Sequence, residues 1–152
     1  MSHLRNYKND DNAIIFSTCD AAHPLLVLLP GRINVERILV VEDDRIALRN
    51  VSQFLSGEGY QVERANNGDE ALKLMEKEKF DLVLSDVIMP GTDGHRLLAH
   101  VRSRFATTPI ILMSGNFTLA PPAIFFHRAN GYVLKPIDLE KLLQKIKDTF
   151  TK

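Results

Sequence analysis

The residues able to do chemistry stand directly after apolar runs. Ile38-Leu39-Val40-Val41 is followed by Glu42, Asp43 and Asp44; residues 80–85 run straight into Asp86; residues 109–113 are followed by Ser114 and Gly115; and residues 131–134 are followed by Lys135 and Pro136. If each run is a strand of one parallel sheet, acids, a hydroxyl and an ammonium reach the same sheet edge, where ligands of open α/β sheets bind. Crowded carboxylates repel one another unless a cation neutralises them. The cation suited to them is Mg²⁺, a hard ion that takes oxygen ligands and keeps several waters. One carboxylate could then attack phosphorus while the metal and the lysine neutralise charge on the phosphoryl oxygens and Ser114 donates a hydrogen bond. Each residue also has a plainer reading: Asp44 as a helix cap, Lys135 as a surface lysine, Ser114 as a turn residue. For Asp44 the cap is the favoured reading; for the others, joint placement after successive runs favours the chemical one.

The elements between these residues alternate. The run at 38–41 is rich in β-branched residues, as in a strand buried on both faces. Leu48, Val51 and Leu55 then recur at helical spacing until Gly57 and Gly59. A second strand is predicted over 60–65. Asn67-Gly68-Asp69-Glu70 has the form of a capping box, and Ala71, Leu72 and Met75 give the following helix its apolar face. A loop with Pro90, Gly91 and Gly94 precedes a third helix carrying Leu97, Val101 and Phe105. The last helix has Leu139, Leu142, Leu143, Ile146 and Phe150 on one stripe, with Asp138 as its cap. Five strands alternating with helices predict an α/β fold with a doubly wound parallel sheet. Pro121-Pro122 cannot sit inside a helix without breaking hydrogen bonds, so the fourth helix, over 117–128, is expected to be short or irregular and the most mobile ordered part of the domain.

The chain has 152 residues, the size of one ordinary domain, with 45% hydrophobic and 25% charged residues. Nineteen basic residues balance nineteen acidic ones, which argues against direct nucleic-acid binding, since phosphate backbones select for a basic surplus. No run of apolar residues is long enough to span a membrane. The single cysteine, Cys19, closes no internal disulfide, which allows a reducing cytoplasm. His95 and His100 lie five apart, on different helix faces, and His3, His23 and His127 lack acidic or cysteine neighbours at ligand spacing, so no metal–histidine site is expected. Residues 1–35 differ from the rest. Their apolar runs at 13–16 and 25–29 are broken by Asp20 and Pro24, unlike a signal peptide. This extension is expected to be disordered or loosely docked, or else a nonfunctional leader contributed by an upstream start codon; the regular domain occupies 36–150.

Ile38-Leu39-Val40-Val41-Glu42-Asp43-Asp44, Asp81-Leu82-Val83-Leu84-Ser85-Asp86-Val87-Ile88-Met89-Pro90-Gly91-Thr92-Asp93-Gly94 and Tyr132-Val133-Leu134-Lys135-Pro136 resemble, in order and spacing, the receiver domains of bacterial two-component response regulators. The resemblance implies a flavodoxin-like receiver fold in which Asp86 is the phosphoacceptor. Asp43 would contact Mg²⁺ directly, Glu42 would act through water, and the backbone carbonyl of Ile88 would complete the metal site. Ser114 would be the hydroxyl switch, Gly115 would offer its N–H to the phosphoryl group, Lys135 would be the phosphate-binding lysine with a cis bond to Pro136, and Tyr132 would be the aromatic rotamer switch. Ile88 and Asn116 occupy positions that tune autodephosphorylation in that family, and bulky Ile88 is expected to hinder the attacking water. Pro121-Pro122 departs from the family's fourth helix and puts its usual dimerisation and output face in doubt.

The implied function is phosphoryl transfer from a histidine kinase or histidine phosphotransfer protein to Asp86, in the cytoplasm, by a protein that is not a conventional enzyme. Only Thr151 and Lys152 follow the last predicted helix, so a stand-alone receiver signalling through protein–protein contacts is expected. The alternatives are a receiver-fold interaction module that is not phosphorylated and a small Mg²⁺-dependent phosphohydrolase of the haloacid-dehalogenase type. The latter needs a second aspartate two residues after the first, where this chain has Ile88.

Overall fold

The computed structural model describes residues 35–115 and 128–152, together with the backbone of three short strands nearer the amino terminus. The chain divides into two units, 1–34 and 35–152. In the first, β1 (Arg5–Lys8), β2 (Ile14–Ser17) and β3 (Val27–Leu28) pair antiparallel in that order. The sequence marks the second and third only as apolar runs.

The second unit begins with β4 (Arg37–Val41), α1 (Arg45–Gly57), β5 (Gln61–Ala65) and α2 (Gly68–Lys77). It continues with β6 (Leu82–Asp86), α3 (Gly94–Arg104), β7 (Ile110–Ser114), β8 (Gly131–Leu134) and α4 (Leu139–Phe150). The five strands form one parallel sheet in the order β5-β4-β6-β7-β8. This is the doubly wound sheet that the sequence predicts. The order reverses at β4: the chain leaves it outward to β5 and returns on its other side as β6, so the switch point lies between the carboxyl ends of β4 and β6. The fourth helix expected over 117–128 falls almost wholly outside the described residues, as does Asn116.

Strand alternation sorts the core onto two faces. Ile38, Val40, Leu82, Leu84, Ile111 and Met113 pack with Leu48, Val51 and Leu55 of α1 and Leu142 and Ile146 of α4. Leu39, Val41, Val83, Ile110 and Leu112 pack with Ala71 and Met75 of α2 and Leu97, Leu98 and Val101 of α3. Burial on both faces is why these strands are continuous apolar runs in the sequence.

Each of α1 to α4 starts on a side-chain cap that accepts otherwise unpaired amide protons. Asp44 Oδ1 accepts from Ile46 N and Ala47 N at 2.8 and 2.9 Å, Asp93 Oδ1 from Arg96 N at 2.9 Å, and Asp138 Oδ1 from Lys141 N at 3.2 Å. The plainer reading of Asp44 therefore holds. Asn67 Oδ1 accepts from Glu70 N at 2.8 Å, but the Glu70 carboxylate reaches back one residue further than a capping box requires, accepting from Asn66 N at 2.7 Å. Phe105, expected on the apolar face of the third helix, is instead its C-cap and half-buried.

Two features beneath the site were not legible from local patterns. Arg102 of α3 donates from Nε to Arg128 O (2.6 Å), from Nη1 to Thr108 O (2.8 Å) and from Nη2 to Asn130 Oδ1 (2.5 Å), tying the start of β7 to the approach to β8. Gly94 packs directly behind Asp86: a Cβ there would lie 2.3 Å from Asp86 O and 2.8 Å from Val87 Cα, both backbone atoms. Gly94→Ala is therefore expected to lower unfolding free energy by about 2 kcal/mol, the cost of forcing a methyl group into a filled space. Urea denaturation checks this.

Candidate functional site

The switch point collects the acids. Glu42 and Asp43 leave β4, and Asp86 ends β6. Carboxylate oxygens of the three lie within 4.8 Å of one another. Glu42 and Asp86 are buried, at 2% and 6% exposure, whereas Asp43 is exposed and gives the cluster a face open to water.

Lys135, immediately after β8, places its ammonium between the two buried acids. Nζ donates to Glu42 Oε2 at 2.6 Å and to Asp86 Oδ2 at 2.9 Å. Its backbone N–H donates to Ser114 O at 2.8 Å, and its bond to Pro136 is cis, as expected. Glu42 Oε1 accepts from Asp44 N at 3.2 Å, and Asp86 Oδ1 faces Ile88 N at 3.4 Å. Burial pushes the Glu42 carboxyl above its ordinary range, and the Asp86 charge adds to this, while its hydrogen bond from Lys135 opposes it. For Lys135, burial disfavours the ammonium, but hydrogen bonds to Glu42 and Asp86 and their charges outweigh it and hold the pKa above normal.

The remaining predicted residues that are described lie in different settings. Ser114 ends β7 and is buried; Gly115 follows it and is exposed. Tyr132 lies half-buried on β8, and burial raises its phenol pKa. Ile88 is 64% exposed while its neighbour Met89 is buried in the core on the α2 and α3 side. One side chain thus anchors the loop after β6 and the other projects from it into solvent.

The donor set suits a hard divalent cation. Every side-chain ligand atom of the cluster is a carboxylate oxygen, three carboxylates face one ammonium, and one of them reaches solvent.

A family profile for the response regulator receiver domain matches residues 38–147. Among curated proteins, the probable transcriptional regulator ycf29 of Porphyra purpurea is 34% identical over 114 residues, covering 73% of this chain and 54% of that protein. The response regulator FleR of Pseudomonas aeruginosa is 35% identical over 112 residues, covering 72% of this chain and 24% of FleR. The chain thus spans about half or less of these relatives' length. Among solved structures, a CheY-like receiver domain protein from Methanospirillum hungatei superposes with a TM-score of 0.70 at 34% identity, covering 75% of this chain and 92% of that one. The response regulator TrrA of Thermotoga maritima, solved in complex with Mg²⁺ and BeF, gives 0.71 at 31% identity, covering 76% and 99%. The family match runs from the first strand of the five-stranded sheet into its last helix, and the solved receivers share that sheet, so the chain belongs to the response regulator receiver domains of two-component signalling.

Proposed function

We propose that this receiver takes a phosphoryl group from a phosphohistidine, carried by a histidine kinase or a histidine phosphotransfer protein, onto Asp86. The reading rests above all on one observation: Lys135 Nζ bridges Asp86 Oδ2 and Glu42 Oε2 at the switch point. Asp86 is the nucleophile; one of its oxygens bonds to phosphorus as the phosphorus–nitrogen bond breaks and the imidazole leaves. Glu42, Asp43, Asp86 and the Ile88 carbonyl would hold Mg²⁺, which supplies neutralisation of charge on the phosphoryl oxygens. Lys135 acts as a fixed positive charge beside the accepting carboxylate, Ser114 donates its hydroxyl to the new phosphoryl group, and Gly115 offers its amide. Movement of Ser114 and inward rotation of Tyr132 carry the change to the surface, where the output is a protein–protein contact in the cytoplasm. Ile88 and Asn116 tune the lifetime of the acyl phosphate. No helix among the described residues is long and apolar enough to cross a membrane.

Incubation with acetyl phosphate and Mg²⁺, read by intact mass, tests this reading. Wild type is expected to gain the mass of one phosphoryl group and to lose it on hydroxylamine treatment, as an acyl phosphate does. No gain, or an equal gain by Asp86→Asn, overturns it.

A further inference from the structure

The loop between β6 and α3 carries Ile88 and is closed at its base by Gly94 N donating to Val87 O at 2.9 Å. Its far side is pressed against the start of α2. Thr92 Oγ1 donates to Asp69 Oδ1 at 2.8 Å. A Cβ on Gly68 would lie 2.4 Å from Thr92 O and 2.7 Å from Thr92 Cγ2, so only a glycine admits this approach. Gly91, beside Thr92, has φ +77, a left-handed turn that suits glycine, and its Cα side faces Asp69 Oδ2. The loop is thus tied across its base from Val87 to Gly94 and held against α2 through Thr92, while buried Met89 anchors its middle.

We infer that Asp69 and Thr92 are positioning residues that set how tightly the acid cluster takes a divalent cation. The inference rests on the proposed phosphoacceptor reading, in which the Ile88 carbonyl faces the cation. A peptide group on an unsupported loop must be ordered when the ion binds, and that entropy subtracts from affinity. The clasp orders the loop beforehand. Asp69 is not one of the clustered carboxylates, which are Glu42, Asp43 and Asp86; its carboxylate is instead the acceptor for Thr92.

The test is Mg²⁺ titration of the full chain, followed by amide NMR shifts, together with hydrogen exchange of the amides of residues 87–93 without metal. Thr92→Val keeps the shape and removes the hydroxyl. It is expected to weaken Mg²⁺ about five-fold, the equivalent of one ordinary hydrogen bond, and to speed loop exchange in the metal-free protein. Thr92→Ser and Asp69→Asn each retain a donor and acceptor pair and are expected to stay near wild type. Asp69→Ala is expected to match Thr92→Val, and the double variant Asp69→Ala with Thr92→Val to lose no more than either alone. Wild-type affinity in Thr92→Val, or full loss in Asp69→Asn with none in Thr92→Val, overturns the clasp while leaving the phosphoacceptor reading intact. If wild type itself binds no Mg²⁺, both fall.

Discussion

Asp86→Asn is expected to take up no phosphoryl group from acetyl phosphate while remaining folded and as stable as wild type or more so. The substitution keeps shape and removes the anionic oxygen, and a neutral amide is a poor nucleophile towards phosphorus. The fold should tolerate it because Asp86 is one of two buried acids competing for a single ammonium: Lys135 keeps Glu42 as its partner, and one cause of the raised Glu42 pKa disappears. Two measurements on one sample check this, intact mass after acetyl phosphate and a urea melt. Lost stability together with lost uptake would mean that Asp86 holds the fold, not that it accepts the group.

Lys135→Met should behave in the opposite way, with a large loss of stability alongside the loss of chemistry. Methionine fills the aliphatic path of the lysine but leaves Glu42 and Asp86 buried, close together and without a counter-charge. Removing one partner of a buried ion pair typically costs about 3 kcal/mol, and that is the expected loss at neutral pH. Its pH dependence has a definite sign. With the ammonium gone, the hydrogen bond that holds the Glu42 pKa down is lost, and its folded-state value rises further above the unfolded one. The variant's stability is then fullest near and below the ordinary glutamate value of 4.5 and falls as pH rises through the elevated folded value. Urea denaturation of both proteins from pH 4.5 to 8 should show the gap widening with pH. Added Mg²⁺ should narrow it at the upper end.

The sequence was most informative where one physical cause acts over several adjacent residues. Strands β4, β6 and β7 are buried on both faces, so Ile38 to Val41, Leu82 to Leu84 and Ile110 to Met113 appear as unbroken apolar runs. The edge strand β5 alternates Val62 with Glu63 and Arg64, a weaker signal, and its start moves from the expected residue 60 to 61. The acid cluster and its lysine were legible for the same reason: Glu42, Asp43 and Lys135 follow directly on strand ends and Asp86 closes its strand, and strand ends are marked by where apolar character stops. What escaped notice depends on contacts between distant residues. Nothing around Arg102 announces that it will bind Thr108, Arg128 and Asn130. Gly68 reads as part of a capping box and Gly94 as a loop residue, whereas their smallness serves close approach to Thr92 and to the Asp86 backbone. No local pattern could pair Asp69 with Thr92.

The two hydrogen bonds from Lys135 join residues 93 and 49 positions apart, and this has a kinetic consequence. The ammonium arrives with β8, reaching past β7 to the ends of β6 and β4. Contacts of such long range close large loops and therefore tend to form after the strands that frame them. While β4 and β6 pair, their acids must remain hydrated or protonated, and the charge balance that makes this edge comfortable comes only when the last strand docks. Lys135→Met is therefore expected to speed unfolding and to leave the refolding rate nearly unchanged, which stopped-flow measurements in urea can read directly.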